Sequence, residues 1–176
     1  MKIFKSIAQL SIVLLTFTAF SQSDKDEKIM KDADKAMQAL LKADAGIDKL
    51  FTNSAGYVIF PNVGKGGFIV GGASGNGVVY EDGSAVGMAD LKEIDVGFQI
   101  GGQAIIEAIF FETEDALTEF KSGDFEFSAG ISAVALKSGV AANAKYKEGV
   151  VVIVLPKAGL MADVSVGGQK FSYDPF

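Results

Sequence analysis

A single carboxylate, Glu107, interrupts the apolar stretch Ala104-Ile105-Ile106-Glu107-Ala108-Ile109-Phe110-Phe111. Strand alternation puts it on one face with Gln99, Gln103 and Ile105, opposite Phe98, Ile106 and Phe110. A carboxylate there is either a polar spot inside a pocket, its pKa raised by burial, or a solvent-facing residue of a half-exposed strand. No second carboxylate pairs with it by spacing, so the two-carboxylate chemistry of a glycosidase has no support. The stretch Gly64-Lys65-Gly66-Gly67 looks like a phosphate loop. A true one needs Ser or Thr after its Lys and a helix to follow, whereas Gly66 and a strand follow here. Gly75-Asn76-Gly77 also leads into a strand and reads as a turn, not a dinucleotide fingerprint. Asp24, Asp26 and Glu27 lack the Gly and the distal Glu of a calcium loop.

What is missing excludes more. The 176 residues contain no Cys, no His and no Trp, and all 16 basic residues are Lys. Thiolate nucleophiles, Cys/His zinc sites, imidazole proton shuttles and Arg forks are therefore unavailable. The expectation is a non-catalytic protein with no cofactor, no metal and no nucleotide. With 22 acidic residues the net charge is −6, a poor match for nucleic acid, whose affinity comes mostly from phosphate neutralisation.

The N-terminus reads as an export signal. Lys2 and Lys5 precede an apolar run from Ile7 to Phe20, shorter than the about 20 residues of a spanning helix and closer to a secretory h-region of roughly 7–15. Ala19-Phe20-Ser21 offers small residues for cleavage after Ser21, and a retained N-terminal anchor is the alternative. Without residues 1–21 the chain keeps 155 residues and 14 lysines, for a net charge of −8. Such a length supports one unaided core. The expected location is the periplasm or outside the cell, peripheral to the envelope membrane.

Residues 22–54 form a charged helical segment and residues 55–176 a Gly-rich β region, together one domain. Ile29, Met30, Ala33, Met37, Leu40 and Leu41 recur at helical spacing, and Asp44 breaks that helix and caps a second one reaching Phe51. Lys28, Lys35, Lys42 and Lys49 repeat every seventh residue opposite the apolar face. They are either a basic surface for anionic lipid or a solvated face, and Asp32 and Asp34 on the flanks favour the second. Tyr57–Phe60, Gly67–Val70, Val78–Tyr80, Val96–Phe111 and Val150–Leu155 read as strands, with turns at Ser74–Gly77 and Glu81–Ser84. The last strand has no polar face and should be covered on both sides. Thr113 to Gly123 carries the start and stop signals of one mid-chain helix. Phe68-Ile69-Val70-Gly71-Gly72, Phe98-Gln99-Ile100-Gly101-Gly102 and Val164-Ser165-Val166-Gly167-Gly168 echo one another, and Gln103 and Gln169 follow the last two. Glycines inside strands point to sharp bending. The expected fold is α+β: a strongly curled antiparallel sheet, or small barrel-like sandwich, with N-terminal helices and one mid-chain helix.

The segment Ala55-Gly56-Tyr57-Val58-Ile59-Phe60-Pro61-Asn62-Val63-Gly64-Lys65-Gly66-Gly67-Phe68, closing on Gly71-Gly72, resembles the opening signature of the SYLF domain. Gly75-Asn76-Gly77-Val78-Val79, Gly97–Gln103, Gly159-Leu160-Met161-Ala162 and Gly168-Gln169-Lys170-Phe171 stand in that family's order, so the resemblance spans roughly residues 30–173. It implies a lipid-binding module, associated in eukaryotic members with phosphoinositides and membranes and in fungal actin-patch proteins with actin. Lys65 matches the family's Lys in the first Gly-rich turn, where backbone N–H groups can help it meet a phosphate headgroup. Alternatively it only keeps a sheet end soluble. The chain lacks the mid-domain tryptophan of many members, and it lacks Arg, which argues against selectivity for multiply charged headgroups. The expected site for a phospholipid or amphipathic ligand comprises Lys65, Gly66, Gly67, Phe68, Gln99, Gln103 and Glu107. Actin is not an expected partner of an exported chain. The alternatives are an outer-membrane β-barrel and a structural envelope protein without a lipid ligand.

Overall fold

The computed structural model describes residues 24–65, 72–94, 103–123, 125–128, 130–157 and 166–176. Helix α1 covers residues 24–43. Ala33, Ala36 and Leu40 are its buried residues, with Ile29, Met30 and Met37 half-buried beside them. Leu41, expected on the same face, is 37% exposed, and Ala36 takes the inward place. The reason is angular: about 100° per residue carries Leu41 past the edge of a narrow stripe centred on Ala33, Ala36 and Leu40.

Asp44 ends α1 as expected and does more than a cap. One oxygen accepts from the Gly46 N–H at 2.9 Å, opening the short 3-10 turn Ala45–Ile47, which runs into α2 (Asp48–Asn53). The other accepts from the Ala141 N–H at 2.8 Å, 97 residues away, where a second 3-10 turn, Ala141–Asn143, begins. These backbone donors, Ala141 first, hold the Asp44 carboxyl below its ordinary pKa of 3.8.

Eight strands form one sheet: β1 (Gly56–Lys65), β2 (Gly72–Glu81), β3 (Ser84–Ile94), β4 (Gln103–Phe111), β5 (Phe125–Glu126), β6 (Ala133–Ala135), β7 (Val150–Pro156) and β8 (Gln169–Pro175). Their order is β5-β8-β3-β2-β1-β4-β7-β6, antiparallel throughout except for the parallel pair β6–β7. The sheet curls into a half-barrel. Gln169 on β8 reaches Glu107 on β4 at 3.2 Å although three strands separate them, a path of about 19 Å along a flat sheet at ~4.8 Å per strand step.

Two features produce the curl. Pro61-Asn62 forms a bulge in β1. Phe60 pairs with Glu107 and Val63 with Ile105, three residues against two, so both Phe60 and Val63 face inward. Pro61 donates no ladder bond, and a bulge is where a strand tolerates that. The second feature corrects the sequence reading. Ser74–Gly77 is not a turn but lies inside β2, paired with Lys92 to Ala89 on β3. A Cβ at Gly77 would sit 2.6 Å from the Phe60 ring, so the glycine makes room for that ring to lie across the strand. The turn at Asp82-Gly83 forms as expected, both residues having positive φ. Gly168 also has positive φ (86°) and belongs to a turn before β8, not to a strand bend.

The inner face holds Val58, Phe60, Val79, Leu91, Ile105, Ile109, Phe111, Val152 and Phe171, closed by helix α3 (Glu114–Lys121) through Leu117 and Phe120. Thr113 caps α3 by accepting from the Ala116 N–H. The outer face of β1, β4 and β7 holds Tyr57, Ile59, Ile106, Ala108, Phe110, Val151 and Ile153 beneath α1 and α2. Val150 to Val154 is buried on both faces, as an uninterrupted apolar run requires. No helix among the described residues is long and apolar enough to cross a membrane.

Candidate functional site

Six strand ends lie together at one end of the half-barrel. β1 stops at Lys65 and β2 starts at Gly72; β3 stops at Ile94 and β4 starts at Gln103; β7 stops at Pro156 and β8 starts at Gln169. The pairings Lys65↔Gln103, Lys65↔Ala73 and Glu93↔Gln169 set these ends side by side as a rim. The opposite end carries the Asp82-Gly83 turn and the start of α3.

Of the expected site residues, Lys65 and Gln103 are register partners at the rim. Glu107 lies four residues deeper on β4, on the face that alternation assigns to Gln103. Gly66, Gly67, Phe68 and Gln99 lie outside the described residues, as do residues 1–21; in sequence the four belong to connections that leave from this rim.

Glu107 is fully buried, which overturns its reading as a solvent-facing residue. The Gln169 Nε2 donates to Glu107 Oε2 at 3.2 Å, and Gln169 is equally buried. The cause is the curl, which folds β8 over β4 and encloses a position that a flat sheet would leave half-wet. A side-chain amide neither takes nor gives a proton, so this contact positions the carboxylate and does not exchange protons with it. Gln169 is missing from the expected set. The signal that could find it is the Gly-Gly-Gln echo shared by Gly101-Gly102-Gln103 and Gly167-Gly168-Gln169.

Below the rim the interior is filled. Phe171 packs against Phe60 (5.9 Å between centroids), Phe120 (5.5 Å) and Phe127 (4.9 Å), and Phe111 packs on Phe120 at 5.0 Å. A ligand can therefore meet only the strand ends at the rim, with Glu107 and Gln169 enclosed beneath them. Among the described residues no group of three or more carboxylates is placed to hold a metal ion.

The architecture is a small open half-barrel whose two apolar faces are sealed by helices. Residues 92–175, from the end of β3 through β8, match the family model Ysc84 (SYLF), described as Las17-binding protein actin regulator. That is the family the sequence motifs resemble, a family of non-catalytic binding domains. No curated protein matches the chain.

Proposed function

We propose that this protein binds the headgroup of a phospholipid, or another amphipathic ligand, at the rim of its half-barrel, without catalysis and as an exported protein peripheral to the envelope membrane. The observation that carries the reading is the meeting of six strand ends at one rim, with Lys65 and Gln103 in register there. In sequence the segments between these strand ends are glycine-rich, a composition that lets backbone N–H groups approach a phosphate closely, and Lys65 adds a positive residue beside them. The filled interior favours contact at the mouth over swallowing of an acyl chain.

The family match supports the reading through the lipid association of SYLF domains. The family's description also names actin regulation, but the N-terminal sequence argues for export, away from a cytoskeleton. An outer-membrane barrel is disfavoured on geometry. A spanning sheet must close on itself, whereas this one has edges at β5 and β6 and helices on its outer face.

The test is co-flotation with anionic phospholipid vesicles. Lys65→Glu should weaken binding roughly tenfold or more while circular dichroism stays that of the folded chain. Unchanged binding would remove the headgroup role of Lys65. If the unaltered protein binds no vesicle, a structural envelope protein without a lipid ligand becomes the better account.

A further inference from the structure

The two edges of the sheet are neighbours in the chain. β5 lies on β8 at one edge and β6 on β7 at the other, and only residues 127–132 separate β5 from β6. From Glu126 to Ala133 the backbone reaches at most about 25 Å, so this connection spans the gap that keeps the half-barrel from closing. Phe127 and Ile131 are buried in the inner core, while Ser128, Gly130 and Ser132 are exposed. The connection is a clasp laid across the open seam.

It is held lightly. The strands that anchor it have two and three residues. On the β8 side the Phe127 N–H donates to the Gln169 carbonyl and the Gly168 N–H to the Phe127 carbonyl, both at 3.0 Å. On the β7 side the holds are surface side chains: Ser128 Oγ donates to Glu148 Oε2 at 2.9 Å, and the Lys147 ammonium donates to the Gly130 carbonyl. Water competes for such exposed bonds, so each adds little. Glu148 makes its bond from a left-handed backbone, φ 52°, followed by Gly149 at φ 76° in the tight turn between Lys147 and Val150. Asn, Asp or Gly suit that position better, but none of them reaches as far as a glutamate does. A cleft of about 430 Å³ is bordered by Glu126, Phe127 and Ser128 on the clasp and by Gly167 and Gly168 before β8.

We infer that this clasp opens as a unit while the rest of the sheet stays folded, and that the open seam admits the apolar part of a ligand whose polar part rests at the rim. The inference rests on the lipid reading and adds to it a route into the interior. Gln169 ties the two places together, since its carbonyl receives the Phe127 N–H and its side chain bonds Glu107. Lifting Phe127 takes its ring off Phe171, 4.9 Å away between centroids, and uncovers apolar surface. With the clasp shut the interior is filled and contact stays at the rim. Opening exposes Phe127 and Ile131, so the open form is the minor one, and a ligand that favours it shifts the population.

The chain has no cysteine, so an introduced thiol reports alone. Ile131→Cys places one under the clasp and Ile109→Cys one at the centre of β4, both at buried positions. With excess thiol reagent in native buffer, the Ile131→Cys chain should label roughly tenfold faster or more than the Ile109→Cys chain, because local opening needs less free energy than global unfolding. Adding Ser128→Ala should raise the first rate roughly threefold and leave the second unchanged. Vesicles of phosphatidylglycerol should speed labelling at position 131 alone. Equal rates at the two positions, or an equal rise at both with Ser128→Ala, would overturn the clasp. Co-flotation with vesicles and no change at position 131 would overturn its role as the entry and leave the lipid reading standing. No co-flotation would remove the lipid reading and the entry together. Should the Ile131→Cys chain fail to fold, hydrogen exchange at the Phe127 and Ile131 amides of the unaltered chain, set against that of Ile109, gives the same comparison.

Discussion

The two faces of the sheet are sealed by different means. The inner face is closed by phenylalanines from strands far apart in sequence, Phe60, Phe111, Phe127 and Phe171, with α3 supplying Phe120. The outer face is closed by residues 24–53, whose buried side chains on α1 are Ala33, Ala36 and Leu40, together with Leu136 and Ala141 from the chain before β7. Alanines allow α1 to approach closely but each removes little apolar area from water, whereas a ring buries about 150–250 Å²; the outer face has rings of its own, Phe51 of α2 on Tyr57 and Phe110 at 5.0 Å, so its weakly held part is α1. Sequence-distant closure also means that the inner seal, apart from the Phe127 clasp, cannot fail piecemeal. The outer seal is expected to open locally at α1, the part held mainly by alanines.

Truncation of a central ring tests the stronger seal. Phe171→Ala removes contacts to Phe60, Phe120, Phe125 and Phe127 together and should cost about 3–5 kcal/mol, read as a global loss in denaturant unfolding. A smaller and more local effect is expected on the other face. Leu40→Ala should cost about 2–3 kcal/mol, with hydrogen exchange accelerating in α1 before it does in β1 or β4. Uniform acceleration across helix and strands would show that the two seals form one cooperative unit.

The smallest effect is expected from the tie between the N-terminal segment and the rest. Asp44 bonds the Ala141 N–H as a carboxylate, and its pKa is held below 3.8. A depressed folded pKa stabilises the fold at every pH above the unfolded value and ceases to do so as pH falls through the folded one. Acidification below about pH 4 should therefore loosen α1 first, and Asp44→Asn should remove that acid-dependent step. Strand exchange that rises together with α1 exchange in acid would break the comparison.

Legibility followed the range of the interactions. The Thr113 cap, the Asp82-Gly83 turn, the Asp44 break and the doubly buried Val150–Val154 run each depend on neighbours within a few residues, and each stands where local rules put it. Leu41 was misplaced because the width of an apolar stripe is set by its partner and not by the helix. Ser74–Gly77 has turn composition, yet the ladders to β1 and β3 on both sides draw it into a strand. The second role of Asp44, its bond to Ala141, has no trace in the sequence because the two residues are 97 positions apart.

The candidate site divides the same way. Lys65 and its glycines stand out by type and spacing, but their alignment with Gln103 at a common rim follows from strand pairing. What the sequence determined unaided is the α+β class, most elements and the lack of the commonest catalytic groups, since composition and short-range periodicity are properties of the chain itself. Tertiary structure decided that Glu107 is enclosed, that Gln169 bonds it, and that Lys65 and Gln103 meet at one rim. Those facts arise from the curl of the sheet, which brings together residues that no local preference connects.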